Sequence, residues 1–145
     1  MRRRRRDDAG SIAPLIIGFA VVIALLVAVV VDASAAYLRR EELDAVADAA
    51  ALAATDGLQG DAAYTQGLSG TLTIDPDAAR AYVEDYLRSS GALDRLGVMT
   101  WTVAIVNGAV VVQVRAPMDL PLRVPGVGDH VPVSGSAAAV VAIGE

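Results

Sequence analysis

Residues 12–56 read IAPLIIGFAVVIALLVAVVVDASAAYLRREELDAVADAAALAATD, and this stretch decides the architecture. Ile12 to Val31 contains no charged residue. As a helix rising about 1.5 Å per residue, that run is roughly 30 Å long, the thickness of a bilayer's hydrocarbon core. Pro14 suits a first helical turn, where its missing N–H costs little. Beyond Asp32 the residues turn polar, yet neither Pro nor Gly intervenes before Gly57. Ala, Leu, Arg and Glu are good helix formers, so one continuous helix is predicted from about Pro14 to Asp56. It leaves the bilayer near Asp32.

The rest of the chain arranges itself around that helix. Residues 1–11 form an Arg-rich tail, 12–31 a transmembrane segment and 32–56 the exposed continuation of the same helix. Residues 57–75, with Gly57, Gly60, Gly67 and Gly70, are expected to be a loop. Residues 76–145 are expected to form a small α+β domain. Arg2, Arg3, Arg4, Arg5 and Arg6 precede the apolar run, and Asp32 follows it. Positive charge stays on the cytoplasmic side, so the orientation read here is N-terminus in the cytoplasm, domain outside the cell membrane. A cleaved signal peptide is the rival, because Ala33-Ser34-Ala35 has a small-x-small form. That rival would release a secreted binding module after Ala35. Against it, the apolar run exceeds the usual length of a signal sequence.

The overall charge of −5 conceals an asymmetry. Residues 32–145 carry seven Arg and fifteen Asp or Glu, a balance of −8, and the chain has no Lys. Such a domain repels phosphate, which argues against nucleic-acid binding. With no cysteine, disulfides and thiolate metal sites are both excluded.

Leu43, Val46, Ala47, Ala50 and Ala54 recur at the three-to-four spacing of one helix face. With Asp32 they are the residues expected to carry helix packing. The small side chains allow close backbone approach, either to the chain's own domain or to a neighbouring subunit. Arg40 and Asp44 are spaced for an i,i+4 pair. Asp75-Pro76 opens a second helix as N-cap and first residue, and Ala79, Tyr82, Val83, Tyr86 and Leu87 form its apolar stripe. Gly91 ends that helix or breaks it before Leu93 and Leu96.

Asn107-Gly108, between WTVAIV and AVVVQVRA, is the favoured type I′ hairpin turn. A two-residue loop pairs Val106 with Ala109, Ile105 with Val110, Val103 with Val112 and Trp101 with Val114. Trp101, Val103, Ile105, Val110, Val112 and Val114 then share one face, opposite Thr102, Ala104, Gln113 and Arg115. A proline-marked stretch follows, from Pro117 to Pro132, containing Met118, Leu120 and Leu122. Residues 133–143 are expected to be the last strand, with Val133, Ala137, Ala139, Val141 and Ile143 on one side.

No constellation for catalysis emerges. His130, the one histidine, lies in a Gly/Pro-rich stretch, and Ser134 and Ser136 flank a glycine in a strand context. Asp32, Glu41, Glu42, Asp44 and Asp48 read as a solvated helix face, lacking the Gly and ligand spacing of a calcium loop. No phosphate-binding Gly-rich loop is present. The expectation is a non-enzyme with no cofactor, no metal and no small-molecule substrate.

Gly10-Ser11-Ile12-Ala13-Pro14, the apolar span, Val31-Asp32, Tyr37-Leu38 and the run Leu43-Asp44-Ala45-Val46-Ala47-Asp48-Ala49-Ala50-Ala51-Leu52-Ala53 resemble the TadE/TadG-like proteins of bacterial Tad (Flp) pilus-assembly systems. The Val-rich strands and the alternating final strand are similar in style, and the Arg, Ala and Val bias fits an actinobacterial type. The resemblance implies a pseudopilin-like or accessory subunit of that apparatus or a related secretion system. Its partners would be other pilin-like subunits and the lipid bilayer. Prepilins of this kind are cut after a Gly and carry Glu five residues later. Gly10 fits the first place, but Leu15 stands at the second. This departure implies an uncleaved subunit that stays in the membrane. A membrane-bound sensor, with the Arg tail touching a cytoplasmic partner, is a further alternative.

Overall fold

The computed structural model describes residues 12–66, 74–119 and 130–140. Its first helix, α1, spans Ile12–Gln66, 55 residues without a break. The helix therefore runs ten residues past the end expected at Asp56, and the first part of the expected loop at 57–75 is helical. The reason lies in tertiary packing. Helix α2, Pro76–Ser89, lays the ring of Tyr82 against the α1 backbone at Gly57. A Cβ at position 57 would stand 2.6 Å from that ring. One turn is thus held by its neighbour, which outweighs a glycine's helix cost of about 1 kcal/mol. Leu58, 7% exposed, extends the packed face beyond the glycine. Gly67 and Gly70 lie outside the described residues, as do Arg2 to Arg6 and Gly10.

Asp75 caps α2 as its sequence requires: its Oδ1 accepts from the Asp77 N–H at 2.9 Å, with Pro76 following in the first turn. The helix ends at Ser89, Gly91 adopts φ 69°, and a short helix α3 resumes at Ala92–Leu96. Two further helices follow α1, where one was expected.

The sheet has three antiparallel strands in the order β1-β2-β3: Thr100–Val106, Ala109–Asp119 and His130–Val140. The hairpin register matches the one read from the turn: Val106 faces Ala109, Ile105 faces Val110, Val103 faces Val112 and Trp101 faces Val114. Asn107 and Gly108 both have positive φ, 50° and 76°, as a type I′ turn demands. The last strand begins three residues earlier than expected, and Pro117 and Pro132 belong to the sheet, opposite each other. Prolines fit there because the β1–β2 pairing stops at Arg115, and a facing pair without N–H groups suits a non-hydrogen-bonded position. Leu120, Leu122, Val141 and Ile143 lie outside the described residues.

One face of the sheet packs on α1 and α2. The core joins Leu43, Val46, Ala47, Ala50, Ala51, Ala54 and Leu58 of α1 to Val83 and Leu87 of α2 and to Val110, Val112 and Val114 of β2. Trp101, Val103 and Ile105 pack against it from β1, while Thr102 and Ala104 face outward. From Ile12 to Val31 α1 touches none of this core, and its large apolar side chains there are 42% or more exposed.

Candidate functional site

The α1 face singled out by spacing is the centre of the molecule. Leu43, Ala47, Ala50 and Ala54 are fully buried and Val46 is 7% exposed. They pack on the chain's own sheet and on α2, so within this chain the face is already covered. Asp32 is not gathered with them. It lies eleven residues below Leu43 on the same helix, about 16 Å along the axis, and is half-buried. The uncovered face of the same helix is a different stripe: Glu41, Ala45, Asp48, Leu52 and Asp56 recur at helical spacing and all are exposed.

Why α1 carries small residues becomes clear at β3. Gly135 is buried against the α1 backbone, and a Cβ there would stand 2.7 Å from the Leu43 carbonyl oxygen. The Asp44 carboxylate, expected on a solvated face as a partner for Arg40, is half-buried and does more than that. Its Oδ1 accepts from the Ser136 N–H at 2.9 Å, while Arg40 Nε stands 3.7 Å from Oδ2. An edge-strand N–H is thereby satisfied by the helix, and the strand's height along α1 is set. Ser136 falls in the expected last strand, but no local signal pairs it with a residue 92 positions away. The usable signal was Gly135 itself, since a glycine inside a strand often marks close backbone approach.

Two further clamps tie α1 to its neighbours. Arg39 donates from Nη1 to Glu42 Oε2 at 2.9 Å and from Nη2 to the Leu96 carbonyl at 3.1 Å, tethering the end of α3. The Tyr82 hydroxyl donates to Asp61 Oδ2 at 2.5 Å, above the glycine its ring covers. That hydrogen bond to a carboxylate raises the Tyr82 phenol above its ordinary value of 10.0, and Glu41 does the same for Tyr37.

The base of the sheet carries open recesses. One, of about 320 Å³, lies between Val98, Met99, Ala116, Pro117 and Pro132, with no α1 residue in its wall. Another is bounded by Ala35, Leu38, Arg39, Leu96, Val98 and Pro117. Among the described residues, no group of three His, Asp or Glu side chains is placed to hold a metal ion. His130 heads β3 opposite Asp119.

This arrangement defines a class: a protein whose apolar N-terminal helix, long enough to cross a bilayer, runs unbroken into a small α+β head. Residues 10–63 match the sequence model of the family described as putative Flp pilus-assembly TadE/G-like. The match coincides with α1, and the resemblance read from Gly10 through Ala53 therefore stands. No curated protein and no solved structure matches the chain.

Proposed function

We propose that the protein is a non-enzymatic, membrane-anchored accessory subunit of a Tad (Flp) pilus-assembly apparatus. The observation that carries the reading is the coincidence of the family match at 10–63 with a single helix spanning Ile12–Gln66. A long apolar helix of this kind fits a single-pass anchor. With Arg2 to Arg6 before the span and an acidic head after it, the N-terminus lies in the cytoplasm and the head outside. Leu15, standing where a Glu would follow Gly10, favours an anchor that is not processed for filament entry. Other single-span subunits of the apparatus are the partners proposed. They would meet α1 on its uncovered stripe, since Ala47 and Ala50 are occupied by the chain's own sheet.

The test is fractionation and crosslinking in cells that assemble the pilus. The full-length mass is expected in the membrane fraction. Cysteines placed singly at Ala45 and Leu52 are expected to crosslink to other small membrane subunits, and deletion of the gene to impair piliation. A soluble mature chain beginning at Ala36 would reject the anchor and favour the secreted binding module.

A further inference from the structure

We infer that the base of the head is a bilayer-contact surface, with Tyr37, Leu38 and Val98 resting in the phospholipid headgroup layer beside the anchor. The inference rests on the membrane-anchor reading given above. Its geometry comes from the helix. Val31 is the last apolar residue of the span, and Leu38 stands seven residues further on, about 10 Å along the axis. The headgroup layer of one leaflet is roughly 5–8 Å deep. Helical side chains lean toward the N-terminus, so Leu38 reaches down toward that layer, while the Tyr37 hydroxyl meets Glu41 one turn further out. A modest tilt of the helix lowers them further.

The head is fixed at that height. The Arg39 bond to the Leu96 carbonyl holds the end of α3 against α1, and Val98 lines the same recess as Leu38. Val98 is 81% exposed, Leu38 67% and Tyr37 63%, three large apolar side chains at one end of an acidic domain. A tyrosine with an apolar body and a polar tip belongs at a membrane interface.

Charge points the same way. The balance over residues 32–145 is −8, which repels an anionic surface. At this end Arg39, Arg40 and Arg115 line the recesses together with Glu42 and Asp119, and Asp32 stands nearer the span. Three of the domain's seven arginines thus line recesses at the end that faces the span. Their guanidinium groups offer phosphates cationic partners in an otherwise acidic domain.

The absence of cysteine makes a direct test simple. Full-length chains with Leu25→Cys, Val98→Cys or Val106→Cys carry one environment-sensitive fluorophore each. They are reconstituted at low density in phosphatidylcholine–phosphatidylglycerol vesicles. Val106, at the far end of β1, is the control, about 20 Å from the base. Lipids with a nitroxide at the headgroup are expected to quench the label at 98 and not at 106. Adding Leu38→Asp should weaken that quenching. Equal behaviour of 98 and 106 overturns the inference. So does a label at 98 shielded from aqueous iodide yet untouched by the nitroxide, which would mean a second copy covers it. The label at 25 separates the two readings. If chain-borne nitroxides fail to quench it, the anchor itself is wrong.

Discussion

At the scale of the residue, Gly135 shows how one missing side chain sets a whole interface. Its α-carbon lies against the Leu43 backbone, and neither partner is a flexible group that can swing aside. Gly135→Ala is therefore expected to push β3 off α1, weaken the Asp44–Ser136 bond and cost about 1–3 kcal/mol, read from denaturant unfolding. Gly57 is a different case, because its neighbour is a side chain. Gly57→Ala is expected to destabilise the wild-type protein through the Tyr82 ring. In a Tyr82→Ala background the same change should become stabilising by up to about 1 kcal/mol, the helix propensity it gains. A double-mutant cycle measures the difference. Tyr82 also carries a pH dependence. Its folded-state pKa lies above the unfolded value of 10.0 because the protonated hydroxyl donates to Asp61. The stabilisation is complete below that value and is lost as pH rises through the raised pKa. Tyr82→Phe keeps the ring over Gly57 and removes the donor. Its unfolding midpoint should consequently fall less above pH 10.0 than the wild type's, Tyr37 supplying the remaining decline.

At the scale of the element, α1 was legible in kind and not in length. Uncharged residues to Val31 and helix formers to Asp56 need only local physics to read. Gly57 and Gly60 are stop signals by local rules, and the helix passes them where Tyr82 of α2 lies on Gly57 and bonds Asp61. The hairpin was fully legible, since Asn107-Gly108 and the alternation of Val residues demand the same register. Leu43, Val46, Ala47, Ala50 and Ala54, expected to carry helix packing, are buried within the head. Their spacing alone could not say whether this chain or another covers them. In the head they are covered from within, and that changes what a substitution tests. Ala47→Leu and Ala50→Leu are expected to cost about 1–3 kcal/mol each by overpacking. Circular dichroism and thermal melting of the isolated subunit would detect this before any partner is added.

At the scale of the whole molecule, stem and head are one helix with two environments. Every α1 residue in the core lies at Leu43 or beyond, and none of the apolar span below contributes. Substitutions in the span should then leave the head's stability alone. Leu25→Ala is expected to change its unfolding free energy in detergent by no more than about 0.3–0.5 kcal/mol, the tolerance for independent sites. A larger change would mean that the span packs on the head. For the proposed anchor, the same continuity would set the head's height above the bilayer, because a helix rising about 1.5 Å per residue is a rigid spacer.

What the residues alone determined are the features whose physics is local: the uncharged span, the charge asymmetry around it, the Asp75 cap, the Asn-Gly turn and the alternation that follows from it. Each depends on neighbours a few positions away, or across a turn two residues long. What tertiary structure decided are contacts between distant positions. These are the extension of α1 beneath Tyr82, the docking of Gly135 on Leu43, the second role of Asp44, and the Arg39 tether that holds the base of the head beside the span. Backbone approach and side-chain capping across 20 to 90 positions leave no periodicity to read, and only the packed chain brings them together.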